Sequence, residues 1–234
     1  MVRPGEARAN HRTRKNVNSI IDHKILSHFP NVAFNVVAIA ASAGGIKAIS
    51  EVLSALPKDF PAAIAIVQHM HPYSRSYMAE ILSTRTALRV KQAESGELLR
   101  PGTVYIAAPN KHLMVNPNGT LFLSEAAKVN FVRPSANVLF QSVATSYKAR
   151  AIAVVLTGKD TDGVLGVLAI KKHGGIAIAQ DEDSCKCFDM SKAAITTGKV
   201  DLVLPLEAIA TTLVSLVSME KAASQDRVVP CGCA

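Results

Sequence analysis

Residues 36–45 read VVAIAASAGG, and the order of residue types within them decides the fold. The run from Val36 to Ala40 is apolar and of strand length. Gly44-Gly45 interrupts it, and Ile46, Ile49, Val52, Leu53 and Leu56 follow at helical spacing. This is a strand, a sharp turn and a helix, with Ser42 in the turn. Two other segments have the same construction. Residues 63–70 (AIAIVQHM) deliver His69 and residues 152–163 (IAVVLTGKDTDG) deliver Asp162, each just past the last apolar position. A parallel α/β sheet gathers its ligands and catalytic groups outside the carboxyl ends of its strands. A serine, a histidine and an aspartate placed there by three strands are the components of a Ser-His-Asp hydrolase, however distant in sequence.

Outward from these segments the alternation continues. Residues 176–180 and 202–204 read as further buried strands, and helices are expected near 73–84, 135–148, 163–172, 190–197 and 206–219. Most strands are continuously apolar rather than alternating, as helices on both faces require. Residues 88–92 read as a short strand before the turn signals Gly96 and Pro101-Gly102, and there the pattern changes. Residues 104–107, 112–116 and 121–125 are short and close together, the last two joined by Pro117-Asn118-Gly119, a hairpin signal. The expected fold is a doubly wound α/β domain, its sheet mainly parallel, with helices on both faces and an antiparallel hairpin insert. Residues 34–220 form that domain, residues 1–33 a basic, flexible arm, and residues 221–234 a flexible tail.

Composition narrows the function classes. A chain of 234 residues is long enough for one sizeable core. Its formal charge is +8, and half of that excess lies in the arm, where Arg3, Arg8, Arg12, Arg14, Lys15 and Lys24 face only Glu6 and Asp22. No basic helix interleaved with aromatic residues occurs elsewhere, so no nucleic-acid partner is expected. No stretch approaches the roughly 20 apolar residues of a membrane span, and no apolar core with a small-residue cleavage site opens the chain. A cytoplasmic protein without membrane insertion is the expectation. Cys185/Cys187 and Cys231/Cys233 are C-x-C pairs, whereas structural zinc sites space cysteines as C-x₂₋₄-C. The Gly44-Gly45 pair lacks a dinucleotide or P-loop spacing, with Lys47 at the wrong offset. Neither metal nor cofactor is expected.

Each candidate has an ordinary alternative. Ala40 and Gly44 flank Ser42 in a small-x-Ser-x-small turn, as a strand-to-helix nucleophile requires where neighbouring Cβ atoms would collide. A serine before a helix is equally a plain N-cap. His69 competes with His71, which lies on the same side of an extended strand. Asp162 competes with Asp160, and either can cap the helix that follows. The co-occurrence of nucleophile, base and acid at three strand ends favours the hydrolase.

VVAIAASAGG, IVQHM, the run RPSANVLF at residues 133–140, VLTGKDTDGVLG and the loop AQDEDSCKCFDM together resemble the catalytic domain of the chemotaxis receptor methylesterases, the CheB family, over roughly residues 36–216. The resemblance implies hydrolysis of glutamyl methyl esters on chemoreceptors and deamidation of receptor glutamines. It implies a serine nucleophile at Ser42, a base at His69 and an acid at Asp162 rather than Asp160. Backbone N–H groups near Ala43 and Lys159 then form the oxyanion hole. The partner it implies is the cytoplasmic helical bundle of a methyl-accepting chemoreceptor.

Two departures stand out. Family members commonly have threonine after the nucleophile and Met-Gly in the loop before the aspartate, where this chain has Ala43 and Lys159-Asp160. The best-known members also carry an amino-terminal phosphoacceptor domain, and only about 35 residues precede the first strand here. Regulation by that route is therefore not expected within this chain. Two other readings remain open on the sequence: a non-catalytic signalling module of the same fold, and a serine esterase acting on other carboxyl esters.

Overall fold

The computed structural model describes residues 34–71 and 76–225. The arm at 1–33, the first residues of the helix expected at 73–84, and the tail from 226 with Cys231 and Cys233 lie outside the described residues. Seven parallel strands form one sheet in the order β3-β4-β2-β1-β7-β8-β9. These are β1 (Asn35–Ala41), β2 (Ala62–Gln68), β3 (Arg89–Gln92), β4 (Thr103–Ile106), β7 (Ala151–Val155), β8 (Ile176–Gln180) and β9 (Leu202–Leu204). β5 (His112–Val115) and β6 (Leu121–Ser124) make the antiparallel hairpin apart from it. The expected doubly wound α/β architecture with its hairpin insert is the one observed.

Alternate residues of the fully buried central strands feed two cores. Val37, Ile39 and Ala41 pack with α1 (Gly45–Ser54), α2 (Met78–Ser83) and α6 (Leu206–Gln225) on one face. Val36, Ala38 and Ala40 pack on the other face with α3 (Ala136–Tyr147), α4 (Val164–Lys172), α5 (Asp189–Thr196) and the hairpin. Two elements depart from the sequence reading. β4, grouped there with the hairpin strands, joins the parallel sheet between β3 and β2. The closing helix continues past Met219 to Gln225.

Register places the site. The chain runs outward from β1 through β2 on one side of the sheet and through β7 on the other, so β1 lies where strand order reverses. Ala41 pairs with Gln68, and Ala40 pairs with Val155. Ser42, His69 and the loop after Leu156 therefore leave the sheet side by side, at the crevice where open α/β sheets bind their ligands.

Candidate active site

Ser42 sits in the turn between β1 and α1 and does not cap the helix. The N-cap position belongs to Gly44, at φ 83°, with no side-chain cap. Backbone bonds fix the turn: Ser42 N–H donates to Thr157 O (3.0 Å), and Ser42 O accepts from Gly45 N–H (2.9 Å). Gln68, buried at the end of β2, donates through Nε2 to Ser42 O (2.8 Å) and His69 O (2.9 Å), tying nucleophile turn to histidine turn. The glycine pair is required by space as well as by φ. A Cβ on Gly45 would lie 2.6 Å from that of Ala41 and overlap the Gln68 side chain. Among the described residues Oγ of Ser42 has no hydrogen-bond partner, His69 included.

His69 is held between two carboxylates. Its Nε2 lies 2.9 Å from Oδ2 of Asp162 and its Nδ1 lies 3.0 Å from Oδ2 of Asp160. Asp162 is deeply buried and fully committed. Oδ1 accepts from Ser135 Oγ (2.7 Å) and the Asn137 N–H (3.1 Å), and Oδ2 also accepts from the Ala136 N–H. The carboxylate thus occupies the N-terminus of α3, where free N–H groups and the helix dipole favour negative charge. The favour is returned by Asn137, whose Oδ1 accepts from the N–H groups of Gly163 and Gly166 at the start of α4. Burial raises the Asp162 pKa, but hydrogen bonds from His69, Ser135, Ala136 and Asn137 outweigh it and hold the carboxyl below its ordinary value. Burial likewise disfavours a charged His69, yet its hydrogen bonds to Asp160 and Asp162, with their charges, raise its pKa to about 9.

The structure thus brings His69 and Asp162 together as the sequence suggests, and it brings Asp160 to the same ring. His71 is exposed, beyond the strand end. The N–H groups of Ala43 and Lys159 donate to no acceptor among the described residues, leaving two amides beside the serine turn available to an anion. Thr157 links these turns: its hydroxyl donates to Ala43 O (3.0 Å) and accepts from the Cys187 N–H (2.9 Å). Its own N–H donates to Gln180 Oε1 (2.9 Å). A cavity of about 560 Å³ opens on Ser42 and is flanked by Lys47, Glu51, Lys186 and Cys185. Cys185 and Cys187 are half-buried and form no disulfide among the described residues.

Gln68, Ser135, Asn137 and Thr157 carry no role in the sequence reading. Ser135 had a signal, since a serine before a helix invites a cap, but its hydroxyl serves Asp162 instead. Gly158 is a further member of the site. A Cβ there would lie 2.8 Å from that of Ser42 and overlap Sδ of the buried Met190. Gly158→Ala is expected to push the serine turn and the following loop apart. A displacement near 1 Å costs about 10²-fold in turnover, and the overpacking costs about 1–3 kcal/mol. Steady-state kinetics and thermal melts on the purified variant measure both.

Comparison with known proteins places the chain among relatives of one family. The family model described as CheB methylesterase matches residues 37–213. A protein-glutamate methylesterase/protein-glutamine glutaminase of Rhizobium meliloti is 46% identical over 181 residues, which are 77% of this chain and 51% of that protein. The protein-glutamate methylesterase FrzG of Myxococcus xanthus is 42% identical over 190 residues, 81% of this chain and 57% of its own. The chain spans about half the length of the curated relatives it matches. The crystal structure of the Thermotoga maritima CheB methylesterase catalytic domain superposes with a TM-score of 0.77 at 40% identity, covering 80% of this chain and all of that one. With the family model spanning both the strand framework and the residues around Ser42, His69 and Asp162, the chain belongs to the CheB methylesterase family.

Proposed function

We propose that this chain is a serine hydrolase that removes methyl esters from glutamyl side chains of chemoreceptors, and that the same site deamidates receptor glutamines. The observation that carries the reading is the buried His69–Asp162 pair at the strand ends beside Ser42, at the reversal of strand order. Ser42 Oγ attacks the γ-carbonyl while His69 takes its proton. Because Asp162 holds Nε2, the proton passes through Nδ1. The carbonyl oxygen gains charge as its carbon becomes tetrahedral, and the N–H groups of Ala43 and Lys159 receive it. Preorganised donors of this kind are typically worth 10²–10³ in rate each. The C–O bond to the methoxy group then breaks, His69 returns its proton, and methanol leaves. Water, deprotonated by the same histidine, cleaves the acyl-enzyme to glutamate and free serine. With a glutamine substrate the leaving group is ammonia.

None of these steps calls on a metal or cofactor. The cavity beside Ser42 has room for a glutamyl side chain, and its lining sets Lys47 and Lys186 against Glu51 and Glu207. The partner is accordingly the cytoplasmic helical bundle of a methyl-accepting chemoreceptor, and the working compartment the cytoplasm. No helix among the described residues is long and apolar enough to cross a membrane.

The test is release of methanol from a methylated receptor cytoplasmic fragment, and of ammonia from its glutamine form, at pH 7 and pH 9. Release that requires Ser42 is expected on both. If the protein cleaves small activated esters but liberates no methanol from the receptor at either pH, the substrate is another carboxyl ester.

A further inference from the structure

We propose that Asp160 is a latch on the general base: its carboxylate occupies Nδ1 of His69, the nitrogen through which the ring must take the proton of Ser42, so turnover requires Asp160 to leave that nitrogen. The inference rests on the hydrolase reading above and names the residue that governs when that site can work.

Three observations carry it. First, both ring nitrogens face carboxylate oxygens, at 2.9 Å and 3.0 Å. A carboxylate accepts and does not donate, so each nitrogen presents an N–H and the ring is an imidazolium with no lone pair for a serine proton. Second, the two carboxylates differ in their freedom to move. The Asp162 side chain is 1% exposed and bound by three donors besides His69, whereas that of Asp160 is 34% exposed. Besides the imidazole, Asp160 accepts among the described residues only the N–H of Asp162, at 2.8 Å through Oδ1. Asp162 is therefore the fixed orienting acid and Asp160 the partner that can swing away. Third, Asp160 has φ 129°, in the left-handed region that favours glycine. Strained residues persist where the surroundings enforce them, and here the enforcing contacts are those to His69 and the Asp162 amide.

The other charged groups around the ring do not replace this contact. Lys128 and Arg133 line a small cavity against His69 from the segment before α3. The Arg133 guanidinium is engaged by Asn110 Oδ1 and by the carbonyls of Glu125 and Ala126. Both are cations and disfavour a positive charge on the ring, so the raised pKa of His69 is owed to the two aspartates. Opening the latch breaks the Nδ1–H···Oδ2 bond and passes the Nδ1 proton to solvent base. Ser42 Oγ–H can then donate to the freed lone pair. Alkaline pH drives this step.

With a pKa of about 9, only about one ring in a hundred is neutral at pH 7. Asp160→Gly suits the φ and removes the carboxylate, and Asp160→Asn keeps the size without the charge. With p-nitrophenyl acetate as probe and Ser42→Ala as background, both variants should gain about 10–100-fold in kcat/KM at pH 7. They should converge with the parent near pH 9, and the midpoint of the pH profile should fall by about two units. NMR titration of the His69 ring, which needs no turnover, should show the same fall. Activity lost at every pH in both variants would make Asp160 the orienting acid, and an unmoved ring titration would show that it does not hold the imidazolium. Either result overturns the latch. A ring that titrates lower while neither the parent nor the variants show Ser42-dependent hydrolysis of any ester would instead overturn the hydrolase reading, and the latch with it.

Discussion

Ser42→Ala is expected to yield a folded protein whose methanol release falls to about 10⁻⁴–10⁻⁶ of the parent rate. The size of the effect follows from covalent catalysis: without Oγ there is no acyl-enzyme, and what remains is binding and the two free amides. The intact fold follows from the turn itself. Its hydrogen bonds run through the Ser42 N–H and carbonyl to Thr157, Gly45 and Gln68, and among the described residues none uses the hydroxyl. A surface-accessible truncation of this kind changes stability by only about 0.5 kcal/mol. Methanol assays beside a thermal melt separate the two properties. Substantial residual turnover in the folded variant would mean that His69 activates water directly, and the covalent route would be abandoned.

Legibility in the sequence varied with the kind of contact that defines each element. β1, β2, β7 and β8 were readable because both faces of each are covered, which leaves nearly unbroken apolar runs. Residues 103–106 have the same apolar character, but nothing local tells a four-residue strand whether it pairs with a sheet or with a hairpin. The pairing of Val104 with both Ile64 and Val90 is a long-range fact. Ser42, His69 and Asp162 were readable because each follows an apolar run; register then sets Ser42 and His69 level, and the loop after Leu156 carries Asp162 to the ring.

The supporting residues were not readable, because their roles are contacts between distant segments. Asn137 caps α4 across 26 residues, and Gln68 reaches the serine turn across a similar span. Asp160 is the instructive case. Beside Asp162 it looked like a rival for one position, and only the left-handed backbone at residue 160 turns its carboxylate onto the opposite ring nitrogen. The two aspartates are not alternatives but occupy the two ends of one imidazole.

Asp162→Asn should be nearly as damaging as loss of the nucleophile, with turnover lower by about 10⁴. The carboxylate accepts from four donors: His69, Ser135 and the amides of Ala136 and Asn137. An amide supplies one acceptor oxygen, so its NH₂ must face donors on the other side. If the NH₂ meets Nε2, His69 is driven into the tautomer that carries its proton on Nδ1, the wrong one for a base. If it meets Ser135 and Asn137 instead, the α3 N-terminus loses its anion, and a buried unmet donor costs about 1–3 kcal/mol.

The two ionisations that Asp162 couples act on stability in opposite pH ranges. His69 has a folded pKa of about 9 against 6.5 unfolded, so its contribution is fully present below pH 6.5 and is lost as pH rises to about 9. The carboxyl of Asp162 is lowered on folding, so its contribution holds above the ordinary carboxylate range and is lost as pH falls through the lowered value. Denaturant midpoints of the parent should therefore fall on both flanks, and Asp162→Asn should flatten both as it lowers the plateau between them. Asp160→Asn should flatten the alkaline flank while leaving the Asp162 contacts in place. If Asp162→Asn turned over normally while Asp160→Asn did not, the orienting role would belong to Asp160, and Nε2 would become the nitrogen that serves Ser42.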